Sequence, residues 1–126
     1  MAESCTITEE TFGTIKKVKW AWVSAADGTV GAALIPTVTS NVYSGEIVRL
    51  VTVPGAAGLA PDDNYGVVVN DGDSTDVLMS AGLLRDTANT EQVLASSLGV
   101  VANNTLTLLV TAAGAANAGT VYVYIR

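Results

Sequence analysis

Residues 44–86, SGEIVRLVTVPGAAGLAPDDNYGVVVNDGDSTDVLMSAGLLRD, decide the fold. Residues 46–53 alternate Ile47, Arg49, Val51 and Val53 against Glu46, Val48, Leu50 and Thr52. A period of two with apolar residues on both sides predicts a strand buried on one face and largely covered on the other. Residues 65–70 are a short β-branched run, and Asp71-Gly72-Asp73 supplies the left-handed backbone that a hairpin turn needs. Residues 75–79 are then expected to return as a strand. Between the first two runs lies PGAAGLAPDDN (54–64), uncharged until Asp62 and Asp63. Loops of that length tend to be functional or docked, and this one is expected to dock against a partner subunit.

Working outward, residues 14–23 give the clearest alternation. Val18, Trp20 and Trp22 point one way, Lys17, Lys19 and Ala21 the other. The two tryptophans read first as core; the competing reading is a platform on which Trp20, Trp22, Tyr122 and Tyr124 stack against glycans. Asp27-Gly28 is a turn signal that predicts a hairpin returning over residues 29–35, broken by Pro36. Asn89 followed by Gln92 resembles a helix N-cap pair, so a helix of about two turns is expected over 90–98, ended by Gly99. Residues 100–102, 105–111 and 120–126 return to strand. In the last, Val121, Val123 and Ile125 face inward and Tyr122 and Tyr124 outward.

The fold class expected is therefore all-β, an antiparallel β-sandwich or barrel-like domain with at most one short helix. Residues 1–12 read as an N-terminal arm or edge strand, and residues 13–126 as a single β-sandwich domain. A chain of 126 residues is long enough to bury roughly two-thirds of its unfolded surface around one core.

Composition narrows the function classes. Hydrophobic residues are 49% of the chain and charged residues only 14%, with a net charge of −6. So much apolar residue in one small domain implies a surface of Ala, Thr, Gly and Ser, partly covered by neighbouring subunits. The acidic balance argues against nucleic acid, since Lys16, Lys17 and Lys19 form the only basic cluster in the sequence. There is no histidine, and Cys5 is the only cysteine, so the commonest general base and any intrachain disulfide are missing. The expectation is a protein that is not an enzyme and takes no cofactor. Asp71, Asp73, Thr75 and Asp76 copy the start of a calcium loop, but the sixth position is Asp76 rather than Gly and the twelfth is Gly82 rather than Glu. A solvated turn is the stronger reading, and no metal site is assigned.

The phrases SGEIVRLVTVPG, APDDNYGVVVNDGDSTDVL, RDTANTEQVLASSLGVVANNTLTLLVTAAG and GTVYVYIR make residues 14–126 resemble small β-rich structural proteins of tailed bacteriophages. That resemblance implies a virion component made in the host cytoplasm. It points to a capsid decoration or cement protein that bridges capsid subunits, with a neck or tail adaptor as the alternative; the glycan-binding module, which rests on the four aromatic residues, is the competing class. The implied partners are the major capsid protein or other virion proteins and further copies of the chain, as dimer or trimer; the acidic charge and the lack of a run of ~18 apolar residues lead us to expect neither nucleic acid nor membrane. Contact is expected through Cys5 and Ile7 of the first segment and through Pro54, Ala57, Leu59 and Pro61 of the loop.

Overall fold

The computed structural model describes residues 3–31 and 36–126. Among these residues eight strands run in the order β1 (Ser4–Phe12), β2 (Ile15–Val23), β3 (Tyr43–Pro54), β4 (Gly66–Asn70), β5 (Glu91–Leu94), β6 (Val100–Asn104), β7 (Thr107–Thr111) and β8 (Ala118–Ile125). The fold is all-β and antiparallel throughout. A six-stranded sheet has the order β1-β2-β8-β3-β5, with β6 pairing the start of β3; β4 and β7 form a second, two-stranded sheet. Both sheets feed one core, in which Val18, Trp20, Trp22, Leu50, Val121 and Val123 meet Tyr65, Val67, Leu108 and Val110. Among the described residues no helix is long and apolar enough to cross a membrane.

The three clearest alternations become the three central strands. In β2 every second residue from Val18 to Trp22 is buried, and β8 repeats the pattern with Val121, Val123 and Ile125. Burying both indoles answers the core-or-platform question for Trp20 and Trp22. Trp20 Nε1 donates to the Thr37 carbonyl at 2.9 Å, and Trp22 packs against Tyr65 with ring centroids 5.8 Å apart.

Three local expectations are corrected. Residues 75–79 do not return as a strand. The Asp71 carboxylate accepts the Asp73 and Thr75 amides, closing the expected turn. Then Asp76 takes the amides of Val69, Leu78 and Ser80 on its own carboxylate, and Met79 and Ser80 both enter the left-handed region. A side chain that offers amides a local acceptor competes with the ladder, and here it limits the return to one isolated bridge, Asp76 opposite Asn70. The partner of β4 is β7 instead.

The expected helix over 90–98 is β5 followed by one 3-10 turn, Ala95–Ser97. With β8 on one side of β3, the amides and carbonyls of Arg49–Thr52 need a partner on the other, and Glu91–Leu94 supplies it. Asn89 caps no helix: its side-chain amide donates to the Asp86 carboxylate, which also accepts the Ala88 amide.

The Asp27-Gly28 turn is present, with Gly28 at φ +82°, but the chain does not hairpin back onto β2. That strand already has β1 and β8 on its two edges, so Val30 bridges to Val110 of β7 instead. The remainder of the expected hairpin, residues 32–35, lies outside the described residues.

Candidate interaction surfaces

The first segment is an edge strand rather than a loose arm. β1 pairs with β2 over its whole length, from Ser4↔Val23 to Phe12↔Ile15. Cys5 and Ile7 turn inward and pack half-buried against the protein's own core. Two carboxylates on the same side of β1 fasten it further. Glu3 accepts the Gly31 amide at 2.7 Å, and Glu9 accepts the Ser40 and Asn41 amides and the Tyr43 hydroxyl. Burial, with the nearby Glu3 charge second, pushes the Cys5 thiol up to about 11. Cys5 is accordingly a packed small hydrophobe rather than a poised nucleophile.

The loop 54–64 is likewise held by its own domain. The Gly55 amide donates to the Ala118 carbonyl, the Ala118 amide to the Leu59 carbonyl, and the Asp62 amide to the Ala113 carbonyl. Pro61 is buried and its carbonyl accepts the Thr87 hydroxyl. Of the residues expected at an interface, Cys5, Ile7 and Pro61 face the domain itself and Pro54 is half-buried. Only Ala57 and Leu59 stand exposed at the tip.

Two surfaces that the sequence did not single out are more pronounced. The first is the segment 76–85, which lies against β4 through Val77 amide to Val69 carbonyl and Val67 amide to Gly82 carbonyl. Val77 and Leu78 are buried, whereas Met79 and Leu84 are 67% and 69% exposed and Leu83 is exposed beside them. Met79, Ser80 and Leu84 all have positive φ, at 52°, 68° and 58°.

The second is the outer face of the six-stranded sheet. Residues directly opposite in antiparallel pairs share a face, so the registers define it row by row. One row runs Glu10, Lys17, Tyr124, Arg49, Leu94, and the next Thr8, Lys19, Tyr122, Val51, Gln92. At one end Phe12 and Ile15 are paired, Glu46 lies opposite Val100, and Glu46 and Arg126 exchange both backbone hydrogen bonds. At the other end small side chains leave a shallow depression of 360 Å³ among Ser4, Thr6, Ala21, Val23, Gly55 and Thr120. Lys17 Nζ stands 5.1 Å from the Tyr122 ring centroid and Arg49 Cζ 5.1 Å from that of Tyr124. Arg49 Nε also donates to Gln92 Oε1 at 2.9 Å.

The Asp71–Asp76 turn offers little to a cation, because the Asp71 and Asp76 carboxylates are taken by backbone amides. Among the described residues no cluster of three or more His, Cys, Asp or Glu side chains has the geometry of a metal site. No protein-family model, curated protein or solved structure matches the chain.

Proposed function

We propose that the protein is a non-catalytic structural component of a tailed-phage virion, a capsid decoration protein that stabilises the shell by bridging its subunits. The observation that carries this reading is the segment 76–85. Non-glycine residues in the left-handed region cost about 1–3 kcal/mol each and persist only where the surroundings over-determine them. Here three such residues hold Met79, Leu83 and Leu84 outward, against the tendency of large apolar side chains to leave water. A protein that works through binding energy alone needs such fixed apolar projections and no reactive groups. Leu59 at the tip of the loop 54–64 adds a further projection. A protein that binds only the assembled shell stabilises that shell by mass action. The resemblance to phage structural proteins and the low charge content support the same reading.

The test uses particles stripped of the protein. Adding back wild type should raise the temperature at which DNA escapes, and Met79→Ser/Leu84→Ser should rebind poorly. Mass spectrometry of intact particles should find roughly hundreds of copies, whereas about a dozen or fewer would mark a neck or tail adaptor. Stripped and replenished particles of equal heat stability would refute the decoration role.

A further inference from the structure

We propose that the outer face of the six-stranded sheet is a second docking surface, built for an acidic protein segment. The charge distribution carries the argument. The face holds Lys17, Lys19, Arg49 and Arg126 against Glu10 and Glu46, a balance of 4 − 2 = +2 in a chain of net charge −6, leaving −6 − 2 = −8 elsewhere. Four of the six basic residues thus share one face with two of the twelve acidic ones. Among the described residues none of these cations pairs with a carboxylate. The one ion pair among the described residues is Arg85–Glu91, away from this face, and Lys17 makes none even with Glu10 directly opposite.

The geometry fits a polypeptide carrying both carboxylates and apolar side chains. The tyrosines hold Lys17, Lys19 and Arg49 near their rings, so part of the side-chain ordering is complete before a partner arrives. Gln92 fixes Arg49 through Nε and leaves both terminal nitrogens for a bidentate carboxylate. Phe12, Leu94 and Val100, each more than half exposed, ring the same face, and the depression beside Ala21 and Thr120 receives side chains. A second copy stacked face to face about a twofold axis would set +2 on +2, so that arrangement is disfavoured. A phosphate strand presents a charge at every nucleotide and would lie beside a body of charge −8, so an acidic protein segment is favoured over nucleic acid. A bridging protein needs two separate surfaces. Nevertheless, this one stands on its own observations, whatever becomes of the segment 76–85.

The test is a titration of the intact protein, followed by amide chemical shifts. The probe is a synthetic peptide of alternating glutamate and leucine. Its controls are the same peptide with glutamine for glutamate and an oligothymidylate of equal charge. The acidic peptide should move resonances of β2, β8 and β3 and bind at least about tenfold more weakly to Lys17→Glu/Lys19→Glu. Binding should also weaken between about 0.01 M and 1 M salt. If the double glutamate variant melts early, Lys19→Gln/Arg49→Gln carries the same comparison. Absence of binding, equal binding of the glutamine peptide, undiminished binding by a folded variant, or tighter binding of the oligonucleotide would each overturn the proposal.

Discussion

Gly119→Ala should destabilise the protein, against the usual sense of that substitution in a strand. Gly119 sits in β8 directly opposite Trp22 in β2. A Cβ at Gly119 would stand 2.5 Å from Cζ2 and 2.8 Å from Cε2 of Trp22, with the Val53 carbonyl oxygen at 3.1 Å. The indole has nowhere to retreat: Trp22 is 1% exposed and packs on Tyr65. Replacing a strand glycine by alanine contributes roughly 0.5–1 kcal/mol through lost freedom of the unfolded chain. Forcing a methyl group into a filled core costs typically ~1–3 kcal/mol. The steric term wins, for a net loss of about 1–2 kcal/mol out of a total stability of order 5–15 kcal/mol. Urea unfolding followed by tryptophan emission should show a lower midpoint with an unchanged slope. The melting temperature should fall by about 4 °C per kcal/mol lost. Trp22→Phe removes the offending atoms and sacrifices no hydrogen bond, because Nε1 has no partner. In that background Gly119→Ala should be close to neutral, a coupling of about 1 kcal/mol or more. Additive effects, or a Gly119→Ala protein as stable as wild type, would refute the reasoning.

Trp20→Ala should cost ~3–5 kcal/mol and abolish the near-ultraviolet dichroism of a fixed core. Asp76→Ala should leave the midpoint of global unfolding less affected than amide exchange, with Leu78 and Ser80 losing protection first because their amides end on that carboxylate. Cys5 should react with a thiol reagent at pH 8 roughly a hundredfold more slowly than in the unfolded chain, since its thiol is pushed to about 11. The same shift sets a pH dependence. Between the ordinary value of 9.0 and about 11 the unfolded chain releases a proton that the folded chain keeps, so stability declines as pH rises. Cys5→Ala should remove that part of the slope in urea titrations run across this window.

Strands whose burial is decided by local alternation were legible in the sequence, and strands decided by a distant partner were not. Val18-Lys19-Trp20-Ala21-Trp22 and Val121-Tyr122-Val123-Tyr124-Ile125 state their two faces within a few residues. Glu91–Leu94 does not: Asn89 and Gln92 read equally well as a helix start, and only the open edge of β3 makes the segment a strand. Residues 75–79 failed because an aspartate next to a turn has two acceptor oxygens to spend on either ladder or loop, and composition does not say which. The basic face shows the same division. Lys17 and Lys19 were visible as neighbours on one side of a strand, but Lys16 turns away to the Ser44 carbonyl. Arg49 joins them only through the pairing of β3 with β8, where it lies opposite Tyr124, 124 − 49 = 75 residues along the chain. The contacts expected at Cys5, Ile7 and Pro61 failed because composition and loop length do not register the hydrogen bonds of Glu3, Glu9 and the 112–118 backbone that fasten those segments.

The place of β8 in the sheet has a consequence for synthesis. Residues 118–125 are translated after the other seven described strands, yet they lie between β2 and β3 and pair with both. Until they emerge, the β1–β2 hairpin and β3 have no common neighbour, and each exposes an open edge to other chains. Formation of the large sheet therefore waits for residues 118–125, a step dominated by contacts of long sequence separation. A nascent chain halted before residue 118 cannot close this sheet or join Lys17 and Lys19 to Arg49 across it. Only chains that include residues 118–126 acquire the complete outer face, so the strand order ties that face to the synthesis of β8.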